Sequence, residues 1–77
     1  MALIREFAPM HKDANRVHGV VDCGWTSFSL DGHTYLQLDT YGSSGRKIPG
    51  KISQSIQVNE ESAAELLRIL RRTFPGV

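Results

Sequence analysis

The dipeptide Asp31-Gly32, which joins two segments of alternating residues, constrains the fold of this chain more than any other feature. Residues 25–30 and 33–41 both alternate with the period of two that is typical of β-strands. An Asp-Gly pair favours a two-residue type I′ turn, because both central residues of that turn adopt a positive φ. The sequence therefore predicts an antiparallel hairpin over residues 25–41.

Two further strands are predicted on either side of this hairpin. Residues 17–22 have a high content of β-branched side chains, and residues 52–58 again alternate. Residues 1–16 have no clear pattern: Leu3, Ile4 and Phe7 fit either a short helix or an edge strand, and Pro9 ends both. We therefore expect an N-terminal arm or short irregular element over residues 1–16.

The C-terminal segment carries the signals of an amphipathic helix. Asn59 is a good N-cap residue, Glu60 and Glu61 suit the first turn, and basic residues at 71 and 72 suit the last. Apolar residues recur at helical spacing to form one stripe, which consists of Ala63, Leu66, Leu67, Leu70 and Phe74. The sequence predicts a helix over residues 59–74, ended by Pro75 and Gly76.

These elements predict a single ββββα domain over residues 17–77. Its fold class is α+β, with an antiparallel β-sheet of about four strands and the C-terminal amphipathic α-helix packed on one face. A chain of 77 residues buries only about 60% of its unfolded surface, so oligomerisation is a common source of stability at this size. We expect a homodimer, with Ile69 beside the apolar stripe marking the helix as part of the seam.

One face of the predicted sheet is polar and aromatic. If the apolar strand residues face the helix, Trp25, Tyr35 and Tyr41 collect among serine and glutamine on the other face. Aromatic side chains of this kind form stacking surfaces for unpaired bases, but they also serve as packing residues or lie in a dimer seam. The grouping depends on strand register, because a slip of one residue moves a side chain to the other face.

A basic, glycine-rich segment follows Tyr41. No acidic residue lies between Thr40 and Asn59, whereas Arg46, Lys47 and Lys51 are basic. The net charge is only +1, so attraction for nucleic acid must come from this local cluster. The segment predicts contacts with phosphates; the alternative is a solvated loop whose lysines aid solubility and protect a sheet edge.

The same segment has the lysine spacing of a P-loop but not its other requirements. Ile52 stands where a hydroxyl should bind magnesium, Pro49 removes an amide donor, and a strand follows instead of a helix. The remaining chemistry-bearing residues show no metal-ligand spacing and no nucleophile with its base; these are His11, His18, His33 and Cys23. We predict no enzyme activity, no metal and no cofactor.

The cellular compartment follows from the cysteine count and the hydropathy. A single cysteine cannot form an internal disulfide, which favours a reducing setting, and no segment has a signal-peptide pattern or membrane-spanning length. The expected location is cytoplasmic or nucleoid-associated, without membrane contact.

Residues 36–67 resemble the transcriptional positive cofactor four family, a group of small single-stranded DNA-binding proteins. Three sets of residues match its pattern: Leu38, Thr40 and Tyr41 at a strand end; Pro49, Gly50, Lys51, Ile52 and Ser53 at the loop exit; and Asn59, Glu60 and Glu61 at the helix start. Asp39 departs from it, standing near where the family tends to carry arginine. The resemblance implies a four-stranded antiparallel sheet with one helix, dimerised through the helices, that binds single-stranded DNA.

The residues and the resemblance together predict a sequence-tolerant single-stranded nucleic-acid-binding domain with an accessory role in transcription, replication or recombination. The alternative is a small protein-binding adaptor or inhibitor, derived from a phage or plasmid, that uses the polar-aromatic face. Tyrosine, tryptophan and arginine also dominate protein hot spots, so composition does not separate the two hypotheses.

Overall fold

The computed structural model describes residues 1–13, 15–42 and 52–77. Within these residues the chain forms four strands and one helix: β1 Ala2–Ile4, β2 Cys23–Leu30, β3 His33–Tyr41, β4 Ile52–Val58 and α1 Glu60–Thr73. The strand order is β1-β4-β3-β2, with antiparallel pairing throughout except between β1 and β4, which are parallel. The predicted α+β class is confirmed, and the sheet is mixed rather than wholly antiparallel.

The fourth strand comes from a different part of the chain than the sequence predicted. Residues 17–22 form no strand, whereas Ala2–Ile4 pairs with β4 in the register Ala2↔Ile56 and Ile4↔Val58. The amide of Tyr41 still donates to the carbonyl of Asp22 at 3.1 Å, which extends the β2–β3 ladder by one bond. The predicted strand at 17–22 is therefore wrong, and the fourth strand of the sheet is the N-terminal segment Ala2–Ile4 on the edge of β4.

The Asp-Gly hairpin is confirmed. Asp31 has a φ of 52° and Gly32 a φ of 80°, the two positive values that a type I′ turn requires. The turn closes on the pair Leu30↔His33, and the register continues through Phe28↔Tyr35 to Trp25↔Leu38. Because directly opposed residues share a face, this register decides which side chains lie together.

The sheet has a helix-side face and an open face. The helix-side face comprises Trp25, Ser27, Leu36, Leu38, Ile56 and Val58. The open face comprises Phe28, Tyr35, Gln37, Asp39, Tyr41, Ser55 and Gln57. The predicted grouping of β2 is therefore wrong: Trp25 lies on the face opposite Tyr35 and Tyr41, and Phe28 lies with the tyrosines.

The cause of this difference is the length of the turn. A two-residue loop opposes Leu30 to His33, so each even-numbered residue of β2 faces an odd-numbered residue of β3. In the pairing of β3 with β4, a register shift at Thr40/Tyr41 opposes Tyr41 to Ile52 instead of Ser53. Ile52 thereby joins the open face, away from Ile56.

Helix α1 begins at a capping box. The Asn59 side chain accepts a hydrogen bond from the Ser62 amide at 3.0 Å, and the Ser62 hydroxyl accepts one from the Asn59 amide at 3.1 Å. Ser62 is completely buried, so water does not reach it. The two reciprocal hydrogen bonds therefore satisfy backbone amides at the helix N-terminus that have no partner within the helix. The predicted N-cap is confirmed, and it fixes the direction in which the helix leaves β4.

Loss of this cap should destabilise the fold measurably. Asn59→Ala should lower the free energy of unfolding by about 0.5–2 kcal/mol, because the first-turn amides lose their acceptor. Denaturant titration of the two proteins measures the difference, and Asn59→Asp, which keeps an acceptor, is the matched control. Equal midpoints for Asn59→Ala and the unmodified protein would contradict the role of the cap.

The helix covers only one end of its sheet face. Val58 is 2% exposed and lies in a groove with Leu36 and Ala63, where the first turns of α1 cross the sheet. The later residues of the apolar stripe are much less covered, with Leu67 45% and Phe74 55% exposed. The predicted packing on one face therefore involves the start of the helix, and its C-terminal half leaves apolar surface uncovered.

Candidate nucleic-acid interface

The open face carries a stacked aromatic pair near the hairpin turn. Phe28 and Tyr35 oppose each other across β2 and β3, with ring centroids 5.5 Å apart and ring planes inclined by 29°. Phe28 is 38% exposed, and Tyr35 is half-buried. Cross-strand packing therefore orients both rings while leaving part of their surface to solvent.

A third ring lies at the other end of the open face. Tyr41 is half-buried and packs over Gly24, where an added Cβ would come within 3.0 Å of the tyrosine hydroxyl. Glycine at this position thus leaves room for the ring to lie across the adjacent strand. Tyr41 lies six positions after Tyr35 along β3, a distance of about 20 Å on an extended strand.

The centre of the open face is a connected row of polar side chains. The amide of Gln57 donates to the side-chain oxygen of Gln37 at 2.8 Å. The amide of Gln37 in turn donates to the two carboxylate oxygens of Asp39 at 3.1 and 3.2 Å. These bonds orient all three groups and leave acceptor capacity on the carboxylate, which suits the amino groups on base edges and repels phosphates.

The basic segment is connected to the Tyr41 end of this face. β3 ends at Tyr41, and β4 begins at Ile52, which pairs with Tyr41. The predicted phosphate contacts, Arg46, Lys47 and Lys51, lie outside the described residues.

Trp25 does not belong to the open face. It opposes Leu38 on the helix-side face and is 73% exposed. The sequence thus predicted three aromatic residues on one surface; the structure brings Tyr35 and Tyr41 together there and puts Phe28 in place of Trp25. The sequence does contain a signal that places Phe28 on this face. A two-residue Asp-Gly turn opposes Leu30 to His33, and therefore Phe28 to Tyr35.

The chain matches no protein-family model, and comparisons with curated proteins and with solved structures found no match. Over the described ranges 1–13, 15–42 and 52–77, no three His, Cys, Asp or Glu side chains gather where they could hold a metal ion. In the same ranges no helix has the length and apolar character needed to cross a bilayer. Inferences about function therefore depend on the chemistry and geometry of the side chains themselves.

Proposed function

We propose that this chain is a small nucleic-acid-binding domain that takes single-stranded DNA onto its open face with little sequence preference. The observation that carries the proposal is the open face itself, which carries part-exposed aromatic rings, has no helix over it among residues 1–13, 15–42 and 52–77, and ends where an acid-free basic segment begins. Such a domain would serve as an accessory factor in transcription, replication or recombination.

The rings favour an unpaired strand over a duplex. Bases in a duplex are already stacked on each other, whereas splayed bases of a single strand stack on protein aromatic groups. The Phe28–Tyr35 pair and Tyr41 supply two such surfaces at opposite ends of β3. Between them, Gln37 and Asp39 present hydrogen-bonding groups to base edges.

The phosphates are assigned to the basic segment, through Arg46, Lys47 and Lys51. Asp39 makes the middle of the open face unfavourable for phosphate, so the strand should lie with its bases on the sheet and its backbone towards the loop. Three phosphate contacts on a single strand give a slope of about −2 in log affinity against log salt. This modest slope agrees with a net charge of only +1.

The direct test is titration of labelled single-stranded and duplex oligonucleotides at two salt concentrations. We expect tighter binding of the single strand and a linear fall of log affinity with log salt. Absence of affinity for single strands at low ionic strength would remove the proposal.

Charge removal tests the assignment of the phosphate contacts. Lys47→Ala should weaken binding at low salt and make the salt slope shallower by about 0.7, because one fewer counterion contact is released. Lys12→Ala is the matched control, since Lys12 is exposed in the N-terminal segment outside the sheet. Equal effects of the two substitutions would show that the loop has no special contact with phosphate.

A protein-binding adaptor or inhibitor is the second candidate, and Asp39 is the observation that favours it. A carboxylate in the middle of the open face suits a protein surface that offers amide or basic groups. Binding to such a partner would depend weakly on salt if its core is apolar, in contrast to the linear decline expected with DNA.

A further inference from the structure

A groove runs along one face of α1, between the helix and the N-terminal segment of the chain. Its helix wall consists of residues at the i, i+3, i+4, i+7 and i+8 spacing of a single helix face: Glu65, Arg68, Ile69, Arg72 and Thr73. The opposite wall is formed by residues 7–9, which follow β1. The groove has a volume of about 680 Å³, within the range of ligand-binding pockets. None of these helix residues belongs to the apolar stripe, so the groove is a separate surface of α1.

Part of the groove is apolar. Phe7 is half-buried, Ile69 is 41% exposed, and Pro9 lines the groove with them. Ile69, the residue predicted to mark a dimer seam, thus lines a groove with the chain's own N-terminal segment. An apolar side chain that settles against these three residues leaves water, which favours binding whatever the salt concentration.

Two arginines lie on the helix wall of the groove. Arg68 and Arg72 are four positions apart, so their side chains are neighbours on the helix surface. Both are exposed, and within residues 1–13, 15–42 and 52–77 neither makes an ion pair. Neighbouring like charges repel each other, and a carboxylate held between the two guanidinium groups relieves this repulsion through charge-assisted hydrogen bonds. The pair is therefore suited to an anionic group.

Glu65 decides which class of anion fits the groove. It is half-buried at the other end, about 10 Å along the helix from Arg72. A nucleic-acid strand carries a negative charge at every nucleotide, so a strand lying along the groove would also bring a phosphate to Glu65. A protein segment can carry carboxylates at one end and uncharged side chains at the other. The charge pattern of the groove therefore favours an acidic peptide over a nucleic acid.

We infer that this groove binds a short extended segment of a partner protein, in which acidic residues adjoin apolar ones. The carboxylates pair with Arg68 and Arg72, and the apolar side chains pack against Phe7, Pro9 and Ile69. Three or four residues of an extended segment, at about 3.3 Å each, span the distance from Glu65 to Arg72. The groove shares no residue with the open face, so this binding is independent of the proposed DNA binding.

Three labelled peptides test the inference on the full chain by fluorescence polarisation. The probe carries two aspartates followed by leucine and phenylalanine, with glycine at both ends. One comparison peptide has lysine in place of each aspartate, and the other has serine in place of leucine and phenylalanine. We expect saturable binding of the probe and at least about 5-fold weaker binding of each comparison peptide, because each lacks one of the two kinds of contact.

The helix itself offers a matched control for the charge contacts. Arg72→Ala should weaken binding of the probe peptide about 2- to 5-fold and make it less sensitive to salt. Arg71→Ala should leave binding nearly unchanged. Both arginines lie in the last turn, where they complement the negative end of the helix, but only Arg72 lines the groove.

Ile69→Ala tests the apolar contact separately. It should weaken binding of the probe peptide and leave the salt dependence unchanged, because no charge is removed. An unlabelled single-stranded oligonucleotide added in excess should not displace the probe peptide from the unmodified protein.

Four results would overturn the inference. Absence of saturable binding of the probe at millimolar protein would mean that the groove holds no such segment. Equal losses from Arg71→Ala and Arg72→Ala would reduce the effect to general attraction between an acidic peptide and a basic helix. Displacement of the probe by single-stranded DNA would assign the groove to nucleic acid. A dimer in sedimentation equilibrium that Ile69→Ala dissociates would assign it to a second copy of the chain.

Discussion

Replacement of Val58 by aspartate should abolish folding of this domain. Val58 is 2% exposed, at the point where β3, β4 and the first turns of α1 meet. The substitution loses about 1.5–3 kcal/mol of apolar burial, and an unpaired charge at this depth costs several kcal/mol more. A domain of this size has a total stability of about 4–12 kcal/mol, so the loss is comparable to the whole.

Far-UV circular dichroism and denaturant titration measure this effect, and the chain offers a matched control. Val20→Asp makes the same chemical change at a side chain that is 81% exposed and lies outside the sheet. It should alter the free energy of unfolding by no more than about 0.5 kcal/mol. A folded Val58→Asp protein with an unchanged unfolding midpoint would show that the helix does not cover this end of the sheet.

Removal of the Tyr41 ring should weaken binding of single-stranded DNA by about 1–3 kcal/mol, which is roughly 5- to 150-fold. The loss should be the same at low and high salt, because a stacked base carries no counterion with it. The two substitutions should therefore have different effects on binding. Tyr41→Ala lowers the affinity equally at every salt concentration, whereas Lys47→Ala makes the dependence of log affinity on log salt shallower.

The control for Tyr41→Ala is Tyr41→Phe, which keeps the ring and its packing over Gly24. It should retain most of the affinity, since stacking depends on the aromatic face and not on the hydroxyl. Fluorescence-detected titration with an unstructured oligonucleotide measures both variants. If Tyr41→Ala binds as tightly as Tyr41→Phe, the Tyr41 end of the open face is not a stacking surface.

The turn, cap and helix signals predicted their elements correctly in this chain, whereas the β-branched content of residues 17–22 did not. The Asp31-Gly32 turn, the Asn59 cap and the stripe from Ala63 to Phe74 each depend on residues within a few positions of one another. Turn geometry and helix capping are decided at that range by φ preferences and by the nearest hydrogen-bond acceptor. The candidate site was predicted in part, since Tyr35 and Tyr41 do share a face whereas Trp25 does not.

The amino-acid sequence by itself determined the hairpin, the cap and the amphipathic helix, because each is decided by local sterics and spacing. Only the tertiary structure decided that Ala2–Ile4 pairs with β4, across more than fifty residues of chain, since nothing local to either segment specifies that partner. It also decided that α1 crosses the sheet near Val58 and leaves Trp25 exposed to solvent. Long-range pairing depends on which apolar edge and face remain free once the hairpin has formed, and the sequence pattern of each segment alone does not contain that information.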